Sequence, residues 1–301
     1  MPDKYFIKRT GFINASGNDL IDFINRMSTN DLRKFPENEY RKTVLTTDKG
    51  RIIDLINIFN LIENKFILTS DIYQEKVKSH LDKFIIMDDV ALGIPESKYF
   101  HIVISGDVFS ISEKLFGIKS ELNKIYKLNE NGFLYQDEFK INTINIVCKE
   151  ESITGYRELL KDMTEQTCQE YEFNRIEAGI PEGENEFNDN VNPMECGLEK
   201  YISFNKGCYI GQEVIARLDS QGKLPKRMIR IDSEQAFRRN DKIFLTEDNK
   251  EAGFVSSAVT YDKKNTGLGF IRSVNLDIEK EYFLEGSDPE NKVKINVSNI
   301  N

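Results

Sequence analysis

The chain has 301 residues, 39% hydrophobic and 30% charged, with a formal net charge of −9. That length asks for two or three subdomains rather than one core, and the negative balance argues against a general nucleic-acid surface, since phosphate contacts are made by Lys and Arg. No run approaches the roughly 20 apolar residues of a membrane span, and Met1-Pro2-Asp3-Lys4 carries no leader-like pattern. Four scattered cysteines, Cys148, Cys168, Cys196 and Cys208, form no C-x-x-C pair, so no structural zinc site is signalled and no metal is expected. They fit a reduced compartment, and the cytoplasm is the expected location. His80 and His101 lie in periodic segments and read as structural or surface residues.

In chain order, residues Tyr5 to Ala15 read as two short strands. A helix follows, capped by Asn18 or Asp19, with Leu20, Phe23, Ile24 and Met27 at helical spacing. After a polar turn at Ser28 to Asp31, strands at Thr43–Thr47 and Arg51–Asn60 flank the turn Asp48-Lys49-Gly50. Both faces of the second strand are largely apolar, which implies cover on each side and a buried Asp54. Such a carboxylate is either a ligand-facing acid fit for acid–base work or a structural group satisfied by amides, and the residues leave both open. A return strand at Phe66–Ser70 and a helix from Tyr73 to Phe84 come next. Strand and helix signals then alternate through Val90, Phe100–Ile104, Val108–Leu115 and Phe139–Cys148, the order of α+β subdomains of the split βαβ type.

A helical pattern from Thr164 to Ala178 carries Arg175 and Glu177 and stops at Gly179-Ile180-Pro181. The segment from Glu177 to Glu199 holds seven acids and no Lys or Arg, the composition of a solvated loop. Then comes the most informative stretch, Lys206-Gly207-Cys208-Tyr209-Ile210-Gly211-Gln212-Glu213-Val214-Ile215-Ala216-Arg217. Gly207 and Gly211 free the backbone on either side of Cys208, Lys206 supplies positive charge, and Val214, Ile215 and Leu218 form the stripe of a short helix starting near Gly211. A cation and a helix N-terminus favour the thiolate, which makes Cys208 a candidate functional group, whereas Cys148 and Cys168 read as inert. Gln212 reads as a cap or a ligand contact. Glu213 and Arg217 are spaced as an i,i+4 pair, with an anion contact as the alternative for Arg217.

Beyond it, short strands at Met228–Ile231, Lys242–Leu245, Gly253–Ala258, Thr266–Ile271 and Lys292–Val297 alternate with turns, as in a small barrel or sandwich. The boundary falls around Leu218–Leu224, giving domains 1–220 and 221–301. The basic run Lys223, Lys226, Arg227, Arg230, Arg238 and Arg239 is a candidate seat for a polyanionic tail.

The stretch from Lys206 to Arg217 resembles the signature of the YgfZ family, a branch of the glycine cleavage T-protein superfamily. Arg175-Ile176-Glu177-Ala178-Gly179-Ile180-Pro181, Pro193-Met194-Glu195-Cys196-Gly197-Leu198, Thr29-Asn30-Asp31 and Lys49-Gly50-Arg51 are similar to superfamily segments in the same order, and Gly253-Phe254-Val255 with Gly267-Leu268-Gly269-Phe270 to the C-terminal barrel. The resemblance implies a three-part ring of ferredoxin-like α+β subdomains plus a small C-terminal β-barrel around a tetrahydrofolate site, with the cysteine near its mouth.

It implies that Glu177 accepts paired hydrogen bonds from a pterin, with Arg175, Lys206, Gly207, Gly211, Gln212, Glu213 and Arg217 contributing to the cofactor site and Cys208 and Asp54 to its chemistry. T-proteins show an acidic pair, G-G-x-I-D-D, in the strand corresponding to Arg51–Asn60. Here Lys49-Gly50-Arg51-Ile52-Ile53-Asp54 keeps one acid, which favours the YgfZ branch over the transferase. The implied role is folate-dependent support of iron–sulfur cluster assembly or repair, and through it tRNA modification. The implied partners are folate, with or without a polyglutamate tail, and iron–sulfur client or assembly proteins, with no direct nucleic-acid contact and a monomeric state. An aminomethyltransferase is the competing expectation.

Overall fold

A computed structural model of the chain describes residues 3–129, 132–277, 280–285 and 294–296. Its class is α+β, as expected, and its residues divide into two units. The first comprises residues 1–47, 53–167 and 201–210, the second 48–52, 168–200 and 211–301. The segment 168–200 and the helix before Gly222 thus group with the C-terminal strands, upstream of the 220/221 division read from the sequence.

The first unit is organised on β1 (Lys4–Ser16), one continuous strand where two short ones were expected. The expectation of two reflects two pairings. Lys4 to Thr10 pair antiparallel with a strand at Tyr99–Ser105, while Gly11 to Ala15 pair with one at Lys65–Thr69. Gly11 sits at the change of partner, where a Cβ would lie 2.1 Å from Thr69 Oγ1, so only glycine lets the chains pass that closely.

The remaining elements of this unit, in chain order, are α1 (Leu20–Met27), β2 (Glu39–Thr46), β3 (Ile52–Asn60), β4 (Lys65–Thr69), α2 (Gln74–Asp82), β5 (Ala91–Gly93), β6 (Tyr99–Ser105), α3 (Val108–Phe116), β7 (Ile125–Asn129), β8 (Gly132–Asp137), β9 (Thr143–Lys149), α4 (Ile153–Leu159) and β10 (Thr164–Glu165). The main strand order is β2-β3-β4-β1-β6-β9-β8-β7, with β5 and β10 also on β1. The helix expected from Thr164 therefore begins later. Thr164 and Glu165 pair parallel with Lys4 and Tyr5 instead.

The spacing of Leu20, Phe23, Ile24 and Met27 puts all four on one buried face of α1, each burial worth roughly 1.5–3 kcal/mol. They pack with Ile53, Ile56, Ile58 and Ile67 in one core, while Ile102, Ile104, Ile144 and Ile146 build another with α3 and α4. Asp19 holds the cap position of α1 but its carboxylate accepts the Asp89 N–H (2.8 Å), not an amide of its own helix.

The second unit contains α5 (Cys168–Glu177), α6 (Gly183–Glu186), α7 (Gln212–Gln221) and the strands β11 (Lys226–Ser233), β12 (Lys242–Leu245), β13 (Glu251–Tyr261), β14 (Lys264–Arg272), β15 (Tyr282–Leu284) and β16 (Lys294–Asn296). The strands form one sheet in the order β15-β12-β13-β14-β11-β16, with antiparallel pairings throughout. Four of the five expected strands match; of the fifth, only 294–296 are described. Among the described residues no helix is long and apolar enough to cross a membrane.

Candidate functional site

In the first unit the cysteine loop is fastened to the C-terminal end of α1. Thr29 donates its hydroxyl to Tyr201 O (2.7 Å), and Thr29 O accepts the Ser203 N–H (2.9 Å). Further along, the Ile210 N–H reaches Arg26 O (3.3 Å) and Ile210 O accepts the Thr46 hydroxyl (2.6 Å). Between these fastenings Lys206 turns inward, 6% exposed, and its ammonium donates to Asn25 O (2.5 Å), Ser28 O (2.8 Å) and Asn30 O (2.6 Å). Asn25 O and Ser28 O are carbonyls that the end of α1 leaves without intrahelical partners, and Asn30 O belongs to the turn after it. Burial pulls the Lys206 pKa down to about 8, so an ammonium still prevails at neutral pH.

Lys206 was expected to bring charge to the thiol or a cofactor. All three of its N–H donors are instead spent on backbone oxygens, which corrects that reading. Cys208 itself is exposed, as is Gly207, where an added Cβ would meet nothing within 4 Å. The arrangement presents a thiol on a short turn whose two ends are held.

Asp54 lies on β3 with no exposed surface, as its two-sided apolar strand predicts. Its carboxylate accepts the Leu55 N–H (3.0 Å), the Ser70 N–H (2.8 Å) and the Ser70 hydroxyl (2.7 Å). Burial nevertheless pushes its pKa up to about 7. Enclosed and satisfied in this way, Asp54 fits the structural alternative rather than a ligand-facing acid.

In the second unit the acidic stretch is solvated only in part: Glu184, Asp189 and Glu199 are exposed, but two of its acids are not. Glu186 and Glu195 are 0% and 1% exposed, because each finds donors inside the fold. Glu186 accepts from Arg175 Nη1 (3.1 Å), from the Glu182 N–H (3.0 Å), and on one oxygen from the hydroxyls of both Ser256 (2.6 Å) and Ser257 (2.7 Å). Neighbouring strand residues normally face opposite ways. The register shift between Val255 and Ser257 on β13 is what lets both serines reach one carboxylate. Glu195 forms a reciprocal capping box with Asn192, and burial raises its pKa.

Arg175 is 2% exposed and donates to Glu172 (2.7 Å), Ile180 O (2.6 Å), Glu186 and Ser257 (3.0 Å). A guanidinium so engaged has nothing left for a ligand, which corrects its assignment to the cofactor site. Glu177, two residues on, is part-exposed and held by Arg230 through a 3.4 Å contact. It sits at the end of α5, whose exit is set by Gly179 in the left-handed region at φ +68°. Its partner Arg230 also pairs with Asp232, Arg239 pairs with Glu184, and Lys226 donates to Asn190 O (2.7 Å), so half of the basic run is engaged within the fold.

Gly211, not Gln212, caps α7, with φ +83°. Its neighbourhood explains a second motif: a Cβ on Gly50, itself at φ +65°, would lie 3.1 Å from the Val214 Cβ, so the Lys49-Gly50-Arg51 turn packs on the first turn of α7. Glu213 and Arg217 are exposed and Gln212 is half-buried. Cys196 is fully buried with its Sγ 3.7 Å from Glu186 O, and burial drives its pKa well up. Among the described residues no group of three or more His, Cys, Asp or Glu is placed to hold a metal.

The structure therefore joins Thr29-Asn30-Asp31 to Lys206-Gly207-Cys208 within the first unit, and Lys49-Gly50-Arg51 to Gly211–Val214 within the second. Residues missed from sequence are Ser70, Glu186, Ser256 and Ser257. The adjacent serine pair on a strand was the only available signal for the last two.

No family model matches the chain. An aminomethyltransferase of Caldanaerobacter subterraneus subsp. tengcongensis is 23% identical over 291 residues, covering 89% of this chain and 76% of that protein. The tRNA-modifying protein YgfZ of Colwellia psychrerythraea is 24% identical over 262 residues, covering 84% and 80%. The crystal structure of the glycine cleavage system aminomethyltransferase T of Bartonella henselae superposes with a TM-score of 0.84 at 14% identity, covering all of this chain and 86% of that one. The chain thus has the T-protein fold, and its sequence is similar both to aminomethyltransferases and to YgfZ proteins.

Proposed function

We propose that the protein is a tetrahydrofolate-binding factor of the YgfZ kind that supports iron–sulfur cluster assembly or repair in the cytoplasm, and thereby tRNA modification. The observation that carries this reading is Cys208, exposed on a turn fixed at both ends, within the signature from Lys206 to Arg217. A thiol so presented suits contact with a macromolecular client, an oxidised thiol or a cluster. One cysteine cannot complete a cluster site, so further ligands come from the client.

Glu177 fits a pterin: its carboxylate is part-exposed, and its single long ion pair leaves oxygen lone pairs for paired N–H donors. Bound there, tetrahydrofolate supplies one-carbon chemistry, while this chain's part is to orient the pterin through Glu177. The exposed face of α7, with Glu213 and Arg217 beside Gln212, offers polar contacts to ligand or client. Lys223, Arg227 and Arg238, the part of the basic run with no partner role described above, are assigned to a polyglutamate tail.

Complementation tests the reading. In a strain lacking its YgfZ-type factor, the wild-type chain restores tRNA modification and Cys208→Ala does not; full restoration by the Ala variant removes the thiol from the function. Titration calorimetry with tetrahydrofolate tests the cofactor, and absence of heat at high micromolar ligand dismisses it. The second reading, an aminomethyltransferase, is supported by the 23% identity to the Caldanaerobacter aminomethyltransferase and requires methylenetetrahydrofolate formation from an aminomethyl-lipoyl carrier protein. Isoleucine at position 53, where T-proteins carry an acid, weighs against it.

A further inference from the structure

Three carbonyl oxygens, from Asn25, Ser28 and Asn30, converge on the single ammonium of Lys206 at 2.5, 2.8 and 2.6 Å. They belong to the last turn of α1 and the turn after it, where the negative end of the helix dipole lies and where intrahelical N–H partners run out. The ammonium also stands 5.2 Å from the centroid of the Tyr209 ring, itself buried. Lys206 therefore grips the chain on both sides of Gly207 and Cys208: through its own backbone on one side and through Tyr209 on the other. Gly207 and Cys208 are exposed, and a Cβ added at Gly207 would meet nothing within 4 Å, so the turn's outward pose depends on what flanks it.

We infer that Lys206 is a positioning residue for Cys208, its ammonium acting as a pin that fixes the exposed Gly207–Cys208 turn against the end of α1. The inference rests on the reading of Cys208 as the working group, and it assigns Lys206 a role exerted without touching ligand or client. A cation is required, not merely a filled space. Three converging carbonyls without one repel each other, and the buried pair, Asn25 O and Ser28 O, would lose its hydrogen-bond donor.

The test uses the full chain with Cys168→Ser, which removes the other exposed thiol, and a thiol-specific nitroxide on Cys208. In the parent the spin label reports a slow, restrained turn. In Lys206→Ala its correlation time shortens several-fold, and added propylammonium, which replaces the deleted atoms, restores the restrained spectrum while 1-propanol does not. Lys206→Met keeps the stem without the charge and serves if the Ala variant does not fold; it shows the mobile spectrum with far-ultraviolet circular dichroism unchanged. An unaltered spectrum in the folded Met variant, or equal restoration by propanol, overturns the inference. Neither readout depends on complementation, so failure of the pin and failure of the thiol's function are told apart.

Discussion

Ser70 gives Asp54 two hydrogen bonds, one from its amide (2.8 Å) and one from its hydroxyl (2.7 Å), and with the Leu55 amide it completes the carboxylate's surroundings. Even so, burial holds the Asp54 pKa at about 7 against a usual value of 3.8. A native pKa above the unfolded one means that the folded state holds the proton more tightly. The associated stability is complete below about pH 4 and drains away as pH rises through 7. Asp54→Asn cannot ionise and lacks this slope. Urea unfolding at pH 4.5 and pH 8 is expected to show wild type losing ground to the variant by about 3 kcal/mol between the two conditions. Parallel pH profiles would show that Asp54 stays ionised throughout.

Removing Arg175 strands Glu186 without its cation in a site with no exposed surface. Arg175→Met should therefore cost about 3–5 kcal/mol, the range for breaking one side of a buried pair. Thermal unfolding checks this. Adding Glu186→Gln to Arg175→Met should recover part of the loss, because the orphaned charge is gone while the serine donors keep an acceptor.

The four thiols divide cleanly. Cys168 and Cys208 are exposed, while Cys148 and Cys196 are buried, the former with its pKa pushed up to about 12 by burial. A thiol-reactive chromogenic disulfide should titrate two groups quickly in the native protein and all four after denaturation. Cys208→Ala should remove one of the fast pair and leave the melting temperature near wild type, since its side chain is exposed.

The hairpin joining β13 and β14 turns on Asp262 and Lys263 at φ +47° and +62°, left-handed values that favour Asn and Gly. Asp262→Asn with Lys263→Gly should stabilise the protein by on the order of 1 kcal/mol. Chemical denaturation reads the gain as a higher midpoint at constant slope.

What the sequence revealed followed from repeating patterns. Helical spacing located α1, the two apolar faces of residues 52–60 announced a buried Asp54, and turn residues bracketed most C-terminal strands. What it hid depends on partners far along the chain. Lys206 looked like free charge because its partners are backbone oxygens, which every residue possesses and no composition marks. Glu186 looked solvated because Arg175 lies outside the acidic run before it and Ser256 and Ser257 follow far along the chain, aligned by a bulge that no local pattern encodes. The exposure of Cys208 was compatible with its flanking glycines, but the fastening of its loop was not legible from them.

The shared strand β1 sets an order for the making of this protein. Lys4 and Tyr5 are synthesised well before their lateral partners, Ile104 and Ser105 on one side and Thr164 and Glu165 on the other. The N-terminal strand must stay unpaired along that half until then, an edge exposed to aggregation. A chain ending before Thr164 leaves that side of β1 open and should precipitate or recruit chaperones, whereas extension past Glu165 should release it soluble. Residues made early in this chain are thus among the last whose place is secured.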